Sequence, residues 1–212
     1  MSEGTPRTMA VAAIVLAAGA SRRMGEPKPL LPWGNGTLLS WELDELMRSC
    51  VDDIVVVTGA HADDVRRSLG GASRYCVFNA RWPQGRAGSL AAGAGALLAP
   101  GRTRPEAVVV QNVDQPTRAD IVDRLVGELR SSGAEAVQPS YLGTAGHPVV
   151  VAGNLLEELA AVSEETLGLR GVLDRHPPRL LAMDDEPLVR LDLDTPDTLE
   201  EGRRLLGVAQ AR

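Results

Sequence analysis

Apolar and polar positions along this chain alternate in blocks rather than residue by residue. Met9 to Leu16 is an apolar run rich in Val, Ile and Ala, the pattern of a strand buried on both faces. Asp53 to Thr58, Arg74 to Asn79 and Ala107 to Val113 repeat that pattern. Helical segments fall between them. Thr37 is placed to cap a helix running to about Cys50, Ala62 to Leu69 is amphipathic and stops at Gly70-Gly71, Arg86 to Leu98 is rich in Ala, Gly and Leu, and Arg118 to Arg130 is a further helix. Strands alternating with helices at this spacing predict right-handed crossovers and a mostly parallel sheet covered on both faces. After Gly133 the order loosens. Glu135 to Gln138, His147 to Val151 and Leu188 to Leu193 read as strands, with helices near Asn154 to Val162, Leu167 to Arg175 and Asp197 to Leu206. No repeat or low-complexity linker divides the chain. The pattern predicts one three-layer α/β/α, Rossmann-like domain over residues 9–212, behind a disordered lead of residues 1–8.

Composition narrows the classes of function. With 212 residues, 44% of them hydrophobic, the chain suffices for one sizeable core. A net charge of -6 excludes a general nucleic-acid binder, because no basic surplus exists to neutralise a phosphate backbone. Only Cys50 and Cys76 occur, which indicates neither a disulfide framework nor a zinc cluster. No run reaches the ~18 apolar residues of a membrane span. Arg7, the apolar run and Ala18-Gly-Ala20 imitate a signal peptide. Cleavage there would discard the loop described next, so a cytoplasmic protein is expected.

The chemistry begins where the first apolar run ends. Leu16, Ala17, Ala18 and Gly19 lead into a loop holding Ser21, Arg22, Arg23, Gly25 and Lys28. Glycines permit tight turns and close approach, free N–H groups suit phosphate oxygens, and Arg and Lys supply countercharge. Lys28 is the single lysine among 22 basic residues, which argues that its compact ammonium is required at that spot. The spacing matches neither Gly-x-x-x-x-Gly-Lys-Ser/Thr nor Gly-x-Gly-x-x-Gly. We read it as a triphosphate-binding loop of another kind.

Ligands in open α/β sheets sit beyond the carboxyl ends of strands. Ala18-Gly19, Thr58-Gly59, Asn79, Asp114, Asp192 and Asp194 all fall at such predicted ends. Asp114 follows an apolar strand and wants a cation, Mg2+ when a triphosphate is near, or else serves as a helix N-cap after Pro116. A strand through Leu191-Asp-Leu-Asp would put Asp192 and Asp194 on one face, with capping of the last helix as the other use of Asp194. Gly88 and Ser89, at a helix start, offer N–H groups and a hydroxyl to an anion or a base edge. His61 and His176 fall at helix ends and read as solvated.

The stretch Leu16-Ala-Ala-Gly-x-Ser-x-Arg-Met-Gly-x-x-Lys-x-Leu-Leu-Pro32 resembles the signature of the MobA-like nucleotidyltransferase superfamily, and within it the molybdenum cofactor cytidylyltransferases. Gly85-x-x-x-Ser-Leu-x-x-Gly93, Gly146-His-Pro148 and Asp192-x-Asp-Thr-Pro196 resemble further family segments, so the similarity spans Ile14 to Leu199. It implies transfer of CMP from CTP to the terminal phosphate of molybdopterin, with release of pyrophosphate. It implies catalytic Lys28, Arg23 and Asp114, Mg2+ on Asp114 and Asp194 with Asp192 as second choice, and acceptor contacts from His147 and Arg170. It also raises contact with a molybdoenzyme or its chaperone. Three alternatives stay open: an NAD(P)H-dependent oxidoreductase on the same fold, a transferase using GTP or another phosphorylated acceptor, and a nucleotide-binding regulator without turnover. One departure stands out. Gln111-Asn112 is polar where relatives usually carry aliphatic residues before the aspartate.

Overall fold

The computed structural model describes residues 10–21 and 25–208. The expected lead of residues 1–8 lies outside the described residues, as do Arg22 and Arg23. The first apolar run forms β1 (Val11–Ala17), and a small ribbon of β2 (Pro32–Trp33) and β3 (Gly36–Thr37) follows the glycine loop. Thr37 then starts α1 (Leu38–Arg48) through a reciprocal capping box with Ser40, which satisfies two otherwise orphaned backbone donors. Next come β4 (Asp53–Thr58), α2 (Ala62–Leu69), β5 (Cys76–Phe78), α3 (Arg86–Leu97), β6 (Ala107–Asn112) and α4 (Ala119–Ser132). The second half holds β7 (Ala136–Tyr141), β8 (Thr144–Ala145), β9 (Val149–Ala152), α5 (Leu156–Ala160), α6 (Gly168–Arg175), β10 (Arg179–Ala182) and α7 (Pro196–Leu206).

The sheet runs β10-β7-β9-β6-β1-β4-β5, with β8 paired to β7. Strands β5, β4, β1 and β6 run parallel to one another, β10 is parallel to β7, and β9 runs against both β6 and β7. The architecture is therefore the expected α/β type with a mostly parallel sheet. Strand residues alternate between two apolar clusters. Val11, Ala13 and Val15 pack with α1 and α4, whereas Ala12 and Ile14 pack with α3 and α5. Gly93 on α3 permits the close seat of that helix, since a Cβ there would come within 2.5 Å of Ile14.

Two expectations are corrected. Leu188 to Leu193 is not a strand but a short 3-10 turn, Pro187–Arg190, followed by irregular backbone. Its alternating Leu and Val side chains are buried without a strand ladder. Isolated bonds hold the segment instead, Leu193 N–H to the Asp114 carbonyl and His147 N–H to the Val189 carbonyl. Conversely, β10 was not expected. It is a four-residue, largely exposed edge strand, too short to show a period.

Candidate active site

The chain leaves β1 toward β4 and β5 on one side of it, then returns to place β6 on the other. This reversal of strand order opens a crevice beyond the carboxyl ends of β1 and β6. A cleft of about 220 Å³ fills it, with Leu16, Ala18, Gly19, Ser21 and Lys28 on the β1 side and Asn112, Val113 and Asp114 on the β6 side. An adjoining cleft shares Ala18, Gly19, Ser21, Arg86 and Ser89, and Trp82 walls it.

Local geometry explains these placements. Ser21 and Gly25 both take positive φ. Ser21 Oγ then accepts the Lys28 N–H at 2.9 Å and draws the chain back over the cleft. Lys28 is only 8% exposed. Its Nζ donates to Asp114 Oδ2 at 2.8 Å and to Asp194 Oδ1 at 2.5 Å. One ammonium thus joins carboxylates 86 and 166 residues away in sequence.

The alternative capping uses of these aspartates are not taken. The cap position of α4 is Arg118, and α7 is capped by Thr195, whose hydroxyl accepts from Thr198 N–H at 3.2 Å. Asp192 goes elsewhere. The irregular backbone that replaces the expected strand turns between the two residues, with Asp194 N–H bonded to the Asp192 carbonyl. Asp192 Oδ1 accepts from Gln115 Nε2 at 2.5 Å, not from Lys28. The two aspartates therefore do not share a strand face.

Other sequence candidates sit as follows. Ala17 is buried in the core, and Thr58 is fully buried with its hydroxyl donating to the Val77 carbonyl. Gly59 lies so close to the Ala18 carbonyl that an added Cβ would approach it to 2.6 Å. Ser89 accepts from Asn79 Nδ2 at 3.1 Å inside the cleft wall, with Gly88 next to it. The N-terminus of α3 falls where the pattern predicts, but one of its N–H groups is already taken. The helix begins at Arg86, and its Ala87 N–H is occupied by the Glu164 carboxylate at 2.7 Å. Gly85 has no side chain to act as a cap, and that role falls to a residue 77 positions beyond Ala87. Arg170 is exposed on α6, outside the lining of either cleft. His176 is not simply solvated, since its ring nitrogens meet Glu135 and Glu158 at 2.8 and 3.0 Å.

His147 arrives from the opposite half of the sheet. Burial pushes its imidazole below the ordinary histidine value, against the pull of Asp192 and Asp114. Sequence reasoning missed Arg86, on both cleft walls, and noted Gln111-Asn112 as polar without giving the pair a place beneath Asp114. Gln111 donates to the Asn112 and Gln115 carbonyls, and Asn112 Nδ2 donates to Gln115 Oε1 at 2.6 Å.

The donor set fits a hard divalent cation. Two carboxylate oxygens already converge on one positive atom, and among the described residues no cluster of three or more His, Cys, Asp or Glu forms a self-contained metal cage. Mg2+-type ions characteristically take one or two protein carboxylates and complete their shell with phosphate oxygens and water.

Comparison with known proteins agrees with this geometry. Residues 13–180 match the MobA-like NTP transferase domain. The chain is 28% identical to the molybdenum cofactor cytidylyltransferase of Escherichia coli (strain K12), across 89% of this chain and 93% of the relative. It is 30% identical to the nicotine blue oxidoreductase of Paenarthrobacter nicotinovorans, across 92% and 96%. A Mycobacterium tuberculosis H37Rv structure in complex with manganese superposes with a TM-score of 0.68 at 27% identity, across 91% of this chain and 97% of that one.

Proposed function

This chain belongs to the MobA-like NTP transferase family, and from that premise we propose that it moves CMP from CTP to the terminal phosphate of molybdopterin, releasing pyrophosphate. The observation that carries the reading is Lys28, held between Asp114 and Asp194 at the mouth of a glycine loop. In the reaction, a terminal phosphate oxygen of the acceptor forms a bond to the α-phosphorus. The bond from that phosphorus to the bridging oxygen breaks, and the electron pair leaves with pyrophosphate. A divalent cation on Asp114 and Asp194, Mg2+ in this reading, supplies charge neutralisation at the α-phosphate.

The chain's own residues do the rest by positioning and electrostatics. Leu16 to Ser21, with Arg22 and Gly25, bind the triphosphate. Lys28 and Arg23 hold the phosphates and stabilise the leaving group. Asn79 fixes the Ser89 hydroxyl where it can meet the base or ribose. His147 faces the acceptor, whereas Arg170, outside both clefts, is left without a role. That phosphate is ionised at neutral pH, so no general base is needed. The product would pass to a molybdoenzyme or its chaperone in the cytoplasm, and the free thiols of Cys50 and Cys76 suit that compartment.

The likeness to nicotine blue oxidoreductase favours a second reading, an NAD(P)H-dependent reductase on the same scaffold. Hydride transfer needs no paired metal carboxylates, so the site argues for transfer. A pyrophosphate-release screen of all four NTPs, with and without molybdopterin, separates these readings. Release that requires CTP and molybdopterin, and disappears in a folded Asp114→Asn variant, is the expected result. NAD(P)H oxidation without pyrophosphate release would replace it with the reductase.

A further inference from the structure

Beneath Asp114 lies a buried polar group that the proposed mechanism does not use. The buried face of α1 is Leu38, Leu39, Glu42, Leu43 and Leu46, so a carboxyl group stands inside an apolar stripe. Glu42 has no exposed surface, and both of its carboxyl oxygens lack a hydrogen-bond partner. Gln111, at the end of β6, points to the same side of the sheet. It too is fully buried, and its Oε1 is likewise without a partner. Its Nε2, by contrast, bonds the carbonyls of Asn112 and Gln115. Those residues bracket the turn that carries Asp114. Gln115 continues the chain of contacts to Asp192, and Leu193 N–H closes it on the Asp114 carbonyl at 2.8 Å.

We propose that Glu42 and Gln111 form a buried positioning pair, Glu42 donating to Gln111 Oε1, which locks the Gln111 amide onto the turn and sets the place of Asp114 opposite Asp194. The argument is one of satisfaction. Both amide hydrogens of Gln111 point at carbonyls, so its oxygen can only accept, and burying it unpaired is costly. A neutral carboxylic acid supplies the donor that an ionised one lacks. Burial supports that state. Desolvation first, then the nearby Asp114 and Glu45 charges, drive the Glu42 carboxyl well above its ordinary value, opposed by Gln111. The pair spans the gap between the helical layer and the sheet, and holds the turn from the side opposite the substrate.

This inference rests on the metal-carboxylate reading of the site, so its test includes measurements that do not need turnover. The first is infrared spectroscopy of the full chain at neutral pH. A carboxylic-acid C=O band present in the natural protein and missing in Glu42→Gln is expected, and no such band would overturn the proposal. The second compares Glu42→Leu, Glu42→Gln and the double variant Glu42→Leu/Gln111→Leu by thermal melting, Mn2+ binding followed by electron paramagnetic resonance, and kcat. Replacing both members with apolar residues removes the buried acid and the unpaired Gln111 oxygen but leaves the Gln115 carbonyl without its donor, so the double variant should stay folded and melt a little below the natural protein. It should nevertheless bind Mn2+ about tenfold more weakly and lose about tenfold in kcat, because the turn has lost its clamp. Glu42→Gln keeps a neutral donor and should recover most of what Glu42→Leu loses. A stable double variant with natural Mn2+ affinity would overturn the positioning role. A natural protein that binds Mn2+ normally but transfers no nucleotide would instead sink the transferase reading.

Discussion

Replacing Lys28 with methionine tests the electrostatic design of the site most directly. Methionine fills a similar volume without charge. Both carboxylate oxygens bond the one Nζ, at 2.8 and 2.5 Å, so they lie within about 5 Å of each other. Two like charges at that range, in an effective dielectric of about 20, repel by about 3 kcal/mol. Solvent takes part of this, because the Asp194 side chain is 33% exposed against 17% for Asp114. Losing the burial cost of the ammonium offsets a little more. We therefore set the net loss at about 2 kcal/mol, equivalent to a Tm about 4–8 °C lower for a chain of this size. The assay is thermal melting with and without Mn2+. A divalent ion on the same carboxylates restores the missing countercharge, so Mn2+ should raise the Tm of Lys28→Met by more than it raises that of the natural protein. A variant that melts with the natural protein and gains nothing extra from Mn2+ would refute the shared-charge argument.

Three further outcomes are expected. Lys28→Arg should lose most activity despite conserved charge, because the planar guanidinium cannot occupy the point between two carboxylates that the ammonium fills, and kcat measures it. Ala18→Gly should relax a preference for CTP over GTP without reversing it. Ala18 lines both clefts, and one methyl gives about 1–3 kcal/mol of discrimination, read as the ratio of kcat/KM values. His176→Gln should flatten the pH dependence of Tm near neutrality. Its bonds to Glu135 and Glu158 raise the imidazole above its usual 6.5, so its contribution is fully present below about that pH and is lost as pH climbs through the raised value. Tm scans of both proteins from acid to mildly alkaline buffer decide it.

The sequence was most legible where a local rule acts alone. Apolar blocks gave the central strands, Thr37 gave a helix start, and the lone lysine marked the centre of the site. The failures share a cause. At Leu188 to Leu193, burial produced a strand-like alternation in a segment whose backbone bonds go singly to distant residues, which no local pattern encodes. Asp192 and Asp194 therefore part company, although period-two reasoning joined them. Glu164 could not be recognised as the cap of α3, because the pairing crosses 77 residues. Glu42 was within reach. Helical spacing sets it among leucines on one face, and Gln111 had already been noted as polar, but only the fold brings the two together.

The reversal of β9 has a consequence for how this scaffold can vary. In the parallel strands, the segment following each strand reaches the substrate edge. In β9, Val149 pairs opposite Val110 and Ala152 opposite Ala107, so it is the segment preceding the strand that arrives there. Gly146-His147-Pro148 is thus delivered by a hairpin whose tip, Leu142-Gly143, projects into solvent. A hairpin tip tolerates insertion and deletion, whereas shifting β9 by one residue would turn its valines from one face to the other. The wall bearing His147 can therefore change length and shape by edits at residues 142–143, while the glycine loop on β1 and the strand phase stay fixed. The hairpin wall and the glycine-loop wall are, in this fold, separately editable.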